Sequence, residues 1–292
     1  MSFLLSILIS FKLIRREIAI KLTLAIITLL FLGCSRNIPS IKERINTTKN
    51  LVDNKTIQKN IDTKNFTLFS LQKIQNSCQN IKIYIEGDGL AWIIRTLISK
   101  DPTPLNPLAL KLMLLDNSSC KIYLARPCQY VESKQCNKKY WTSHRFAKEV
   151  IDSYDVALDS IKKEYKNSTF SLVGYSGGAA VALLVASKRE DINYITTIAG
   201  NLDPSFWTQY HHINSLTGSL NPVNYAKKLE KIPQYHLIGQ NDNIMPKKVF
   251  DSYMSYFKDK KNIHYKLYDA THGKNWEEVY KNFLQGSEVG HK

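Results

Sequence analysis

Ser176 lies in the pentapeptide Gly174–Gly178, whose pattern Gly-x-Ser-x-Gly is typical of a catalytic serine. Residues 168–173 before it are rich in β-formers, and residues 179–188 after it are rich in Ala, Leu and Val and predict a buried helix. A sharp strand-turn-helix of this kind, a nucleophile elbow, lifts a serine hydroxyl above the edge of a sheet. Glycines are needed because the turn is strained and helix and strand approach closely. We therefore predict Ser176 as a nucleophile, and the alternative is a glycine-rich turn that contains a serine.

Two further residues follow in the order that such a serine requires. Asp242 comes after a predicted strand at residues 234–238, and His272 comes after another at residues 264–267. A histidine can take the serine proton and return it to the leaving group, while a carboxylate on its Nδ1 side fixes the tautomer. A single loop Asp is usually a cap or turn residue. Three residues at strand ends in this order nevertheless predict a triad of Ser176, His272 and Asp242.

Alternatives to these assignments exist in the chain. Asp203, which follows a predicted strand at residues 194–199, is the alternative acid. Other histidines lie in predicted strands, before a helix or in a polar segment: His236, His264, His144, His211 and His212. That polar segment, residues 202–222, contains Trp, His and Tyr, and we predict that it forms a small lid that contacts substrate.

An oxyanion hole needs two backbone N–H groups aimed at the tetrahedral oxygen. Gly177 supplies one, directly after the serine. The loop after the predicted strand 81–85 supplies the second, by analogy with His-Gly-x loops, from the N–H of Asp88 or, in another register, of Gly89. A carboxylate beside a forming oxyanion is repulsive, so we expect the Asp88 side chain to point away into hydrogen bonds with a neighbouring loop. A plain turn is the alternative for this segment.

The elements that position these residues alternate between strand and helix. Predicted strands occupy residues 66–71 (as an edge strand), 81–85, 121–125, 168–173, 194–199, 234–238 and 264–267. Predicted helices occupy residues 106–115, 145–166, 179–188, 245–257 and 276–284. This alternation predicts a parallel sheet covered on both faces. A chain of 292 residues that is 43% hydrophobic can bury one substantial core.

Residues 172–178, with Asp242 and His272 behind them, resemble the serine-hydrolase arrangement of the α/β-hydrolase superfamily. Three further segments resemble a group of bacterial exported hydrolases and lipoproteins without an assigned substrate: residues 85–92, 125–130 and 200–203. The resemblance spans about residues 80–285. It implies an α/β-hydrolase fold, with a mostly parallel central sheet and helices on both faces, and a Ser/Asp/His mechanism. It implies little about the substrate.

The N-terminus has the layout of a secretory signal, a cationic stretch followed by a short apolar run and a small residue. The apolar run at residues 22–33 ends at Gly33 and is followed by Cys34, which resembles a bacterial lipoprotein processing site. Two features depart from that pattern: Phe31 stands where Leu is usual, and residues 2–11 form an extra apolar run. The alternative is an uncleaved anchor, but 12 residues are fewer than the ~20 that a spanning helix needs.

We therefore predict a signal peptide at residues 1–33, a lipidated Cys34 followed by a flexible tether through residue 64, and a hydrolase domain at residues 65–290. The protein is predicted to be exported and held in the cell envelope by a lipid anchor on a bacterial membrane. After Cys34 an even number of cysteines remains, which favours disulfides in an oxidising compartment: Cys78, Cys120, Cys128 and Cys136.

The spacing of those four cysteines leaves the pairing open. Cys128 and Cys136 lie eight residues apart and could close a small loop, whereas Cys78 and Cys120 each precede a predicted strand and could bridge neighbouring strands. Three pairings are possible. A zinc site is the rival interpretation, but no Cys-x-x-Cys pair or histidine cluster supports it. We predict neither a metal nor a cofactor.

The formal net charge is +15, with 40 Lys and Arg against 25 Asp and Glu. The basic residues are scattered, and no helix-turn-helix, zinc-finger or RNP-like pattern is present, which argues against nucleic acid as a partner. A basic surface against anionic lipid fits better. The predicted function is an exported serine hydrolase, by default an esterase acting through an acyl-enzyme on a small-molecule or lipid-like ester. A serine peptidase and a catalytically silent envelope binding protein are the alternatives.

Overall fold

The computed structural model describes residues 15–23, 38–75, 77–166 and 168–289. The chain divides into two compact units, Met1–Ser40 and Ile41–Lys292. In the first unit, residues 15–23 form a helix, α1. Cys34 and most of the predicted signal peptide lie outside the described residues. None of the helices that the structure describes is long and apolar enough to cross a membrane.

An eight-stranded sheet forms the centre of the second unit, in the order β1-β2-β6-β3-β7-β8-β9-β10. Its strands are β1 (Ile57–Asp62), β2 (Thr67–Lys73), β3 (Asn80–Ile85), β6 (Lys121–Leu124), β7 (Thr169–Tyr175), β8 (Ile192–Ile198), β9 (Gln234–Gly239) and β10 (Ile263–Tyr268). The six strands from β6 to β10 in this order pair in parallel. β2 pairs antiparallel with both of its neighbours, β1 and β6. The two remaining strands, β4 (Trp92–Ile94) and β5 (Leu97–Ile98), form a separate hairpin.

Helices cover both faces of the sheet. The helices of this unit are α2 (Ile41–Asn50), α3 (Leu108–Leu115), α4 (Lys148–Glu164), α5 (Gly177–Ala186), α6 (Pro204–Tyr210), α7 (Ala226–Leu229), α8 (Lys247–Ser255) and α9 (Trp276–Val289). Successive side chains of a strand point to opposite faces. Accordingly Ile83 and Ile85 of β3 pack in one buried cluster with α4, α5 and α8, whereas Tyr84 packs in the other with α3 and α9. The prediction of an α/β-hydrolase fold with a mostly parallel sheet is confirmed.

The prediction of a flexible tether is wrong for residues 41–50 and 57–62, which form α2 and β1. Arg44 of α2 is buried and pairs with Asp101 at 3.2 Å. All six residues of β1 pair with β2, although Ile61 alone among them is buried. A strand can join a sheet through backbone hydrogen bonds that need no apolar side chains. The polar sequence of β1 therefore gave no sign of a strand. The predicted edge strand, β2, is consequently flanked on both sides.

Candidate active site

Ser176 lies between the end of β7 and the start of α5, with backbone angles φ 53° and ψ −119°. A positive φ is strained for a residue with a side chain. The flanking glycines are sterically required: a Cβ at Gly174 would lie 2.5 Å from the Ala179 Cα, and one at Gly178 would lie 2.3 Å from the Ile85 carbonyl oxygen. The predicted strand-turn-helix is therefore present, and close backbone packing explains both glycines.

Three predicted residues meet in one hydrogen-bonded chain. The Ser176 Oγ lies 3.0 Å from Nε2 of His272, and the His272 Nδ1 lies 2.9 Å from Oδ2 of Asp242. The other oxygen of Asp242 accepts the N–H groups of Ile244 and Met245, each at 2.8 Å. These bonds fix a fully buried carboxylate behind the imidazole, so the geometry allows a proton to pass from the serine to the histidine.

Asp203, the alternative acid, lies elsewhere. One of its carboxylate oxygens accepts the N–H of Phe206 at 3.1 Å and the amide of Asn221 at 2.8 Å, so it caps α6. Its other oxygen accepts the hydroxyl of Ser252 at 2.7 Å. The structure thus brings Asp242, and not Asp203, to the His272 ring.

The backbone of His272 is held by two aromatic side chains that sequence analysis missed. The Tyr175 hydroxyl donates to the His272 carbonyl at 2.9 Å, and the indole N–H of Trp276 donates to the same oxygen at 3.0 Å. The Tyr175 ring also packs against the imidazole, with ring centroids 5.4 Å apart. Tyr175 is the variable residue before the serine in the motif, and only the folded structure shows that it reaches the histidine loop.

The loop that carries Asp88 packs directly against the elbow. A Cβ at Gly87 would lie 3.3 Å from the Ser176 Cβ, and one at Gly177 would lie 2.2 Å from the Asp88 carboxylate. Gly89 has a φ of +64°, a conformation that glycine adopts without strain. Within the described residues, the backbone N–H groups of Asp88 and Gly177 donate no hydrogen bond. Both are therefore available to a ligand beside the serine.

The Asp88 side chain is clamped by two arginines. Its oxygens accept from Arg126 at 3.0 Å and from Arg145 at 2.5 Å, and both guanidinium groups are buried. Burial alone would raise the pKa of Asp88, but Arg145 and Arg126 outweigh it and hold the pKa below its usual range. The expected hydrogen bonds of this side chain with a neighbouring loop are present, although Asp88 also lies in the cavity wall. Its charge is compensated in place.

The loop that carries Arg126 is tied by a disulfide. The structure joins Cys128 to Cys136, and Cys78 to Cys120 at the start of two neighbouring strands. These are the two disulfides that the positions of the cysteines in the sequence suggested. In the chain that the structure describes, no cluster of His, Cys, Asp and Glu could hold a metal ion. The Gln129 side chain, next to Cys128, donates to the Gly87 carbonyl at 3.0 Å and so joins this loop to the Asp88 loop.

Glu86 borders the same cavity and is buried. Burial raises the pKa of this carboxyl to about 7. Hydrogen bonds from the N–H of Gly87 and the hydroxyl of Tyr123 favour the ionised form and lower the pKa, but burial has the larger effect. The protonated form is therefore substantially populated in the folded protein near neutral pH. Sequence analysis did not single this residue out, because its burial depends on the packing of α3 and β6 around it.

Stability should fall as Glu86 ionises. Between the unfolded pKa of 4.5 and the folded pKa of about 7, the folded state binds more protons, so the free energy of unfolding decreases as pH rises, by up to about 3 kcal/mol. We expect urea denaturation from pH 4.5 to 8 to show this slope in the wild type and a shallower slope in Glu86→Gln. Parallel profiles for the two proteins would reject the assignment.

A cavity of about 860 Å³ opens above Ser176 and His272. The predicted lid segment forms part of its wall through Trp207, His212 and Ile213. α6 is also fixed to the loop after Asp242: the indole N–H of Trp207 and Nε2 of His211 each donate to the Ile244 carbonyl at 2.8 Å. The segment 202–222 thus connects the cavity wall to the loop that carries the acid.

The serine hydrolase family FSH1 matches residues 112–272, more than half of the chain, and that span contains Ser176, Asp242 and His272. The protein belongs to this family of serine hydrolases. No curated protein matches the chain. The segment with Asp88 lies before the matched span, so its part in the site rests on the geometry alone.

Solved structures share the fold of this serine hydrolase. An esterase of Pyrococcus furiosus has a TM-score of 0.55 at 14% identity, covering 79% of this chain and 90% of its own. Est1E of Butyrivibrio proteoclasticus with ferulic acid bound has a TM-score of 0.57 at 13% identity, covering 80% and 98%. A protein from Agrobacterium tumefaciens described as a putative α/β hydrolase has a TM-score of 0.56 at 14% identity, covering 80% and 98%.

Proposed function

We propose that this serine hydrolase is an esterase that cleaves a carboxylic ester through an acyl-enzyme on Ser176. The observation that carries the proposal is the hydrogen-bonded chain from Ser176 through His272 to Asp242, at the floor of a cavity. A strained nucleophile, a base within 3.0 Å and a buried acid behind it are the parts that nucleophilic acyl transfer requires.

The geometry supports a two-step mechanism. As the Ser176 oxygen attacks the carbonyl carbon, His272 Nε2 takes the hydroxyl proton, and the buried Asp242 stabilises the resulting imidazolium. The tetrahedral oxygen accepts the N–H groups of Gly177 and Asp88. Collapse expels the alkoxide, which receives the proton from His272, and leaves an acyl ester on Ser176. Water then attacks that ester with His272 again as the base, which frees the acid and restores the serine.

The compensated charge of Asp88 fits this mechanism. An unpaired carboxylate beside Gly177 would oppose the build-up of negative charge, whereas a carboxylate bound to Arg126 and Arg145 adds little net negative field. The same ion pairs hold the backbone of Asp88 in place. Asp88 is thus proposed as a positioned N–H donor whose side chain serves to fix the loop.

An ester with an apolar acyl or alcohol group is favoured as substrate because nonpolar side chains form a large part of the cavity wall. They are Leu90, Ala91, Trp92, Ile98, Pro104, Leu105, Trp207, Ile213, Leu216, Ile244 and Met245. Pockets of this kind bind apolar acyl or alcohol groups. Among the proteins with this fold, one is an esterase from Pyrococcus furiosus and another, Est1E, has ferulic acid bound, which supports the proposal.

Turnover of p-nitrophenyl esters from acetate to laurate, beside the p-nitroanilide with the same acyl group, tests the proposal. We expect hydrolysis of the esters and a much lower kcat/KM for the anilide. Faster anilide cleavage would indicate the peptidase alternative. If folded protein hydrolyses neither, the catalytically silent binding protein is supported and the esterase proposal fails.

We further propose that the protein is exported and lipid-anchored through Cys34. The support is the cationic stretch, the apolar run at residues 22–33 and the cysteine that follows it, together with disulfides that suit an oxidising compartment. In cells fed radiolabelled palmitate, Cys34→Ser should lose the label and accumulate as unprocessed precursor. Unchanged labelling and size would reject the anchor.

A further inference from the structure

The hairpin of β4 and β5 exposes an unusual amount of apolar surface. Trp92, Ile93 and Ile94 are 40%, 40% and 61% exposed, and Leu97 is 52% exposed. These four side chains are called the hairpin patch. A strand that packs on a core buries one of its faces, yet every residue of β4 is exposed. Contiguous apolar surface of this kind marks an interaction site more often than a solvated loop.

The hairpin patch continues into the mouth of the cavity. Trp92 belongs both to the patch and to the cavity wall. Three further cavity residues are large, apolar and more than a third exposed: Leu105, Ile213 and Ile244. Together they form an apolar rim around the opening that leads to Ser176. Whatever covers the hairpin patch therefore also covers the entrance to the active site.

The base of the hairpin is held by hydrogen bonds to neighbouring segments. The N–H of Ser99 donates to the Ala91 carbonyl at 3.0 Å, and the indole of the buried Trp141 donates to the Ser99 carbonyl at 3.2 Å. The N–H of Leu90 bonds to the Pro102 carbonyl at 3.1 Å. The exposed apolar side chains are thus presented by a fixed element, which can enter an apolar medium without refolding.

Charge points to the nature of the partner. Arg95 lies at the tip of the hairpin and Lys100 just beyond it, both exposed, and residues 92–100 contain no acid. Within the described residues neither cation forms an ion pair, and Asp101 is already paired with Arg44. Exposed Trp and aliphatic side chains beside unpaired cations match a bilayer whose surface is anionic, since the apolar groups enter the acyl boundary and the cations meet the headgroups.

We propose that the hairpin patch and the rim insert into the surface of an anionic phospholipid bilayer, so that the cavity opens toward lipid and takes its ester from the membrane. The docking itself is independent of the catalytic proposal, whereas the delivery of a lipid ester rests on it. A lipid anchor would keep the protein near a membrane, and the hairpin would set its orientation.

Depth-dependent fluorescence quenching tests the docking. The full-length chain is incorporated into vesicles of phosphatidylglycerol and phosphatidylcholine whose acyl chains are brominated, and tryptophan emission is recorded. Trp207, which is partly exposed in the cavity wall, is replaced by Phe in every protein compared. In that background we expect quenching with Trp92 present and a marked loss of it in Trp92→Phe, because Trp141 and Trp276 are only 7% and 1% exposed. Absence of quenching, or equal quenching in Trp92→Phe, would overturn the proposal.

Activity separates docking from chemistry. Ile94→Asp should lower hydrolysis of an ester embedded in the same vesicles at least about tenfold, while hydrolysis of a soluble short-chain ester is unchanged. Ile57→Asp, at a site 67% exposed on β1, is the matched control and should behave as wild type in both assays. Equal vesicle activity in the two variants, or a wild-type dimer that Ile94→Asp dissociates in sedimentation, would overturn the proposal. If the wild-type protein fails to hydrolyse the soluble ester, the esterase proposal is contradicted, and the docking proposal is not.

Discussion

Ser176→Ala should lower kcat for a p-nitrophenyl ester by about 10⁴-fold or more, the loss expected when the nucleophile of a serine triad is removed. The reason is chemical, since no other hydroxyl lies within reach of His272 Nε2 in the described part of the chain. Ser255→Ala, on the exposed surface of α8, is the control and should retain wild-type kcat. Initial rates for the three proteins, with thermal unfolding to confirm that each is folded, supply the comparison.

Retention of more than about a tenth of wild-type kcat in folded Ser176→Ala would exclude an acyl-enzyme on this residue, because a serine triad depends on its nucleophile by orders of magnitude. A loss in Ser255→Ala of similar size would mean that the effect is not specific to the elbow.

Asp242→Asn should lower kcat by about 10⁴-fold with a much smaller change in KM. An amide at this position cannot stabilise the imidazolium, and its NH₂ group favours the wrong tautomer of His272. The amide oxygen can still accept the N–H groups of Ile244 and Met245 that the carboxylate binds, so the loop should remain folded. Steady-state kinetics over substrate concentration separate kcat from KM.

Asp203→Asn is the matched control for that prediction. Both aspartates are buried and both accept backbone N–H bonds, but only Asp242 lies against the His272 ring. We expect Asp203→Asn to keep kcat within a few-fold of wild type. The reverse ranking of the two variants would transfer the role of acid to Asp203.

The elbow could be predicted from sequence because its requirements are local. Gly174 and Gly178 are needed by backbone contacts within a few residues or with one adjacent strand, and such requirements leave a motif. Asp242 and His272 could be predicted because the ends of parallel strands meet at one edge of the sheet. The clamp on Asp88 left no comparable signal, since Arg126 and Arg145 come from separate segments.

Hydropathy misleads in opposite directions for β1, in the predicted tether, and for the hairpin of β4 and β5. β1 joins the sheet through its backbone while the side chains of its first four residues stay exposed. Its polar sequence therefore resembled a linker. The hairpin at residues 92–98 is apolar, yet most of it packs against no core. In both cases the hydropathy of the segment did not predict its structure. β1 is fixed by backbone pairing with β2, and the apolar hairpin lacks a core to pack against.

The central claim, that Ser176 is an activated nucleophile in a functional site, is tested most directly by mass spectrometry after reaction with a fluorophosphonate. We predict one adduct per chain, located on the peptide that contains Ser176, and its absence when Ser176→Ala is treated in the same way. Folded wild-type protein that takes up no adduct, or Ser176→Ala labelled to the same extent, would contradict the account.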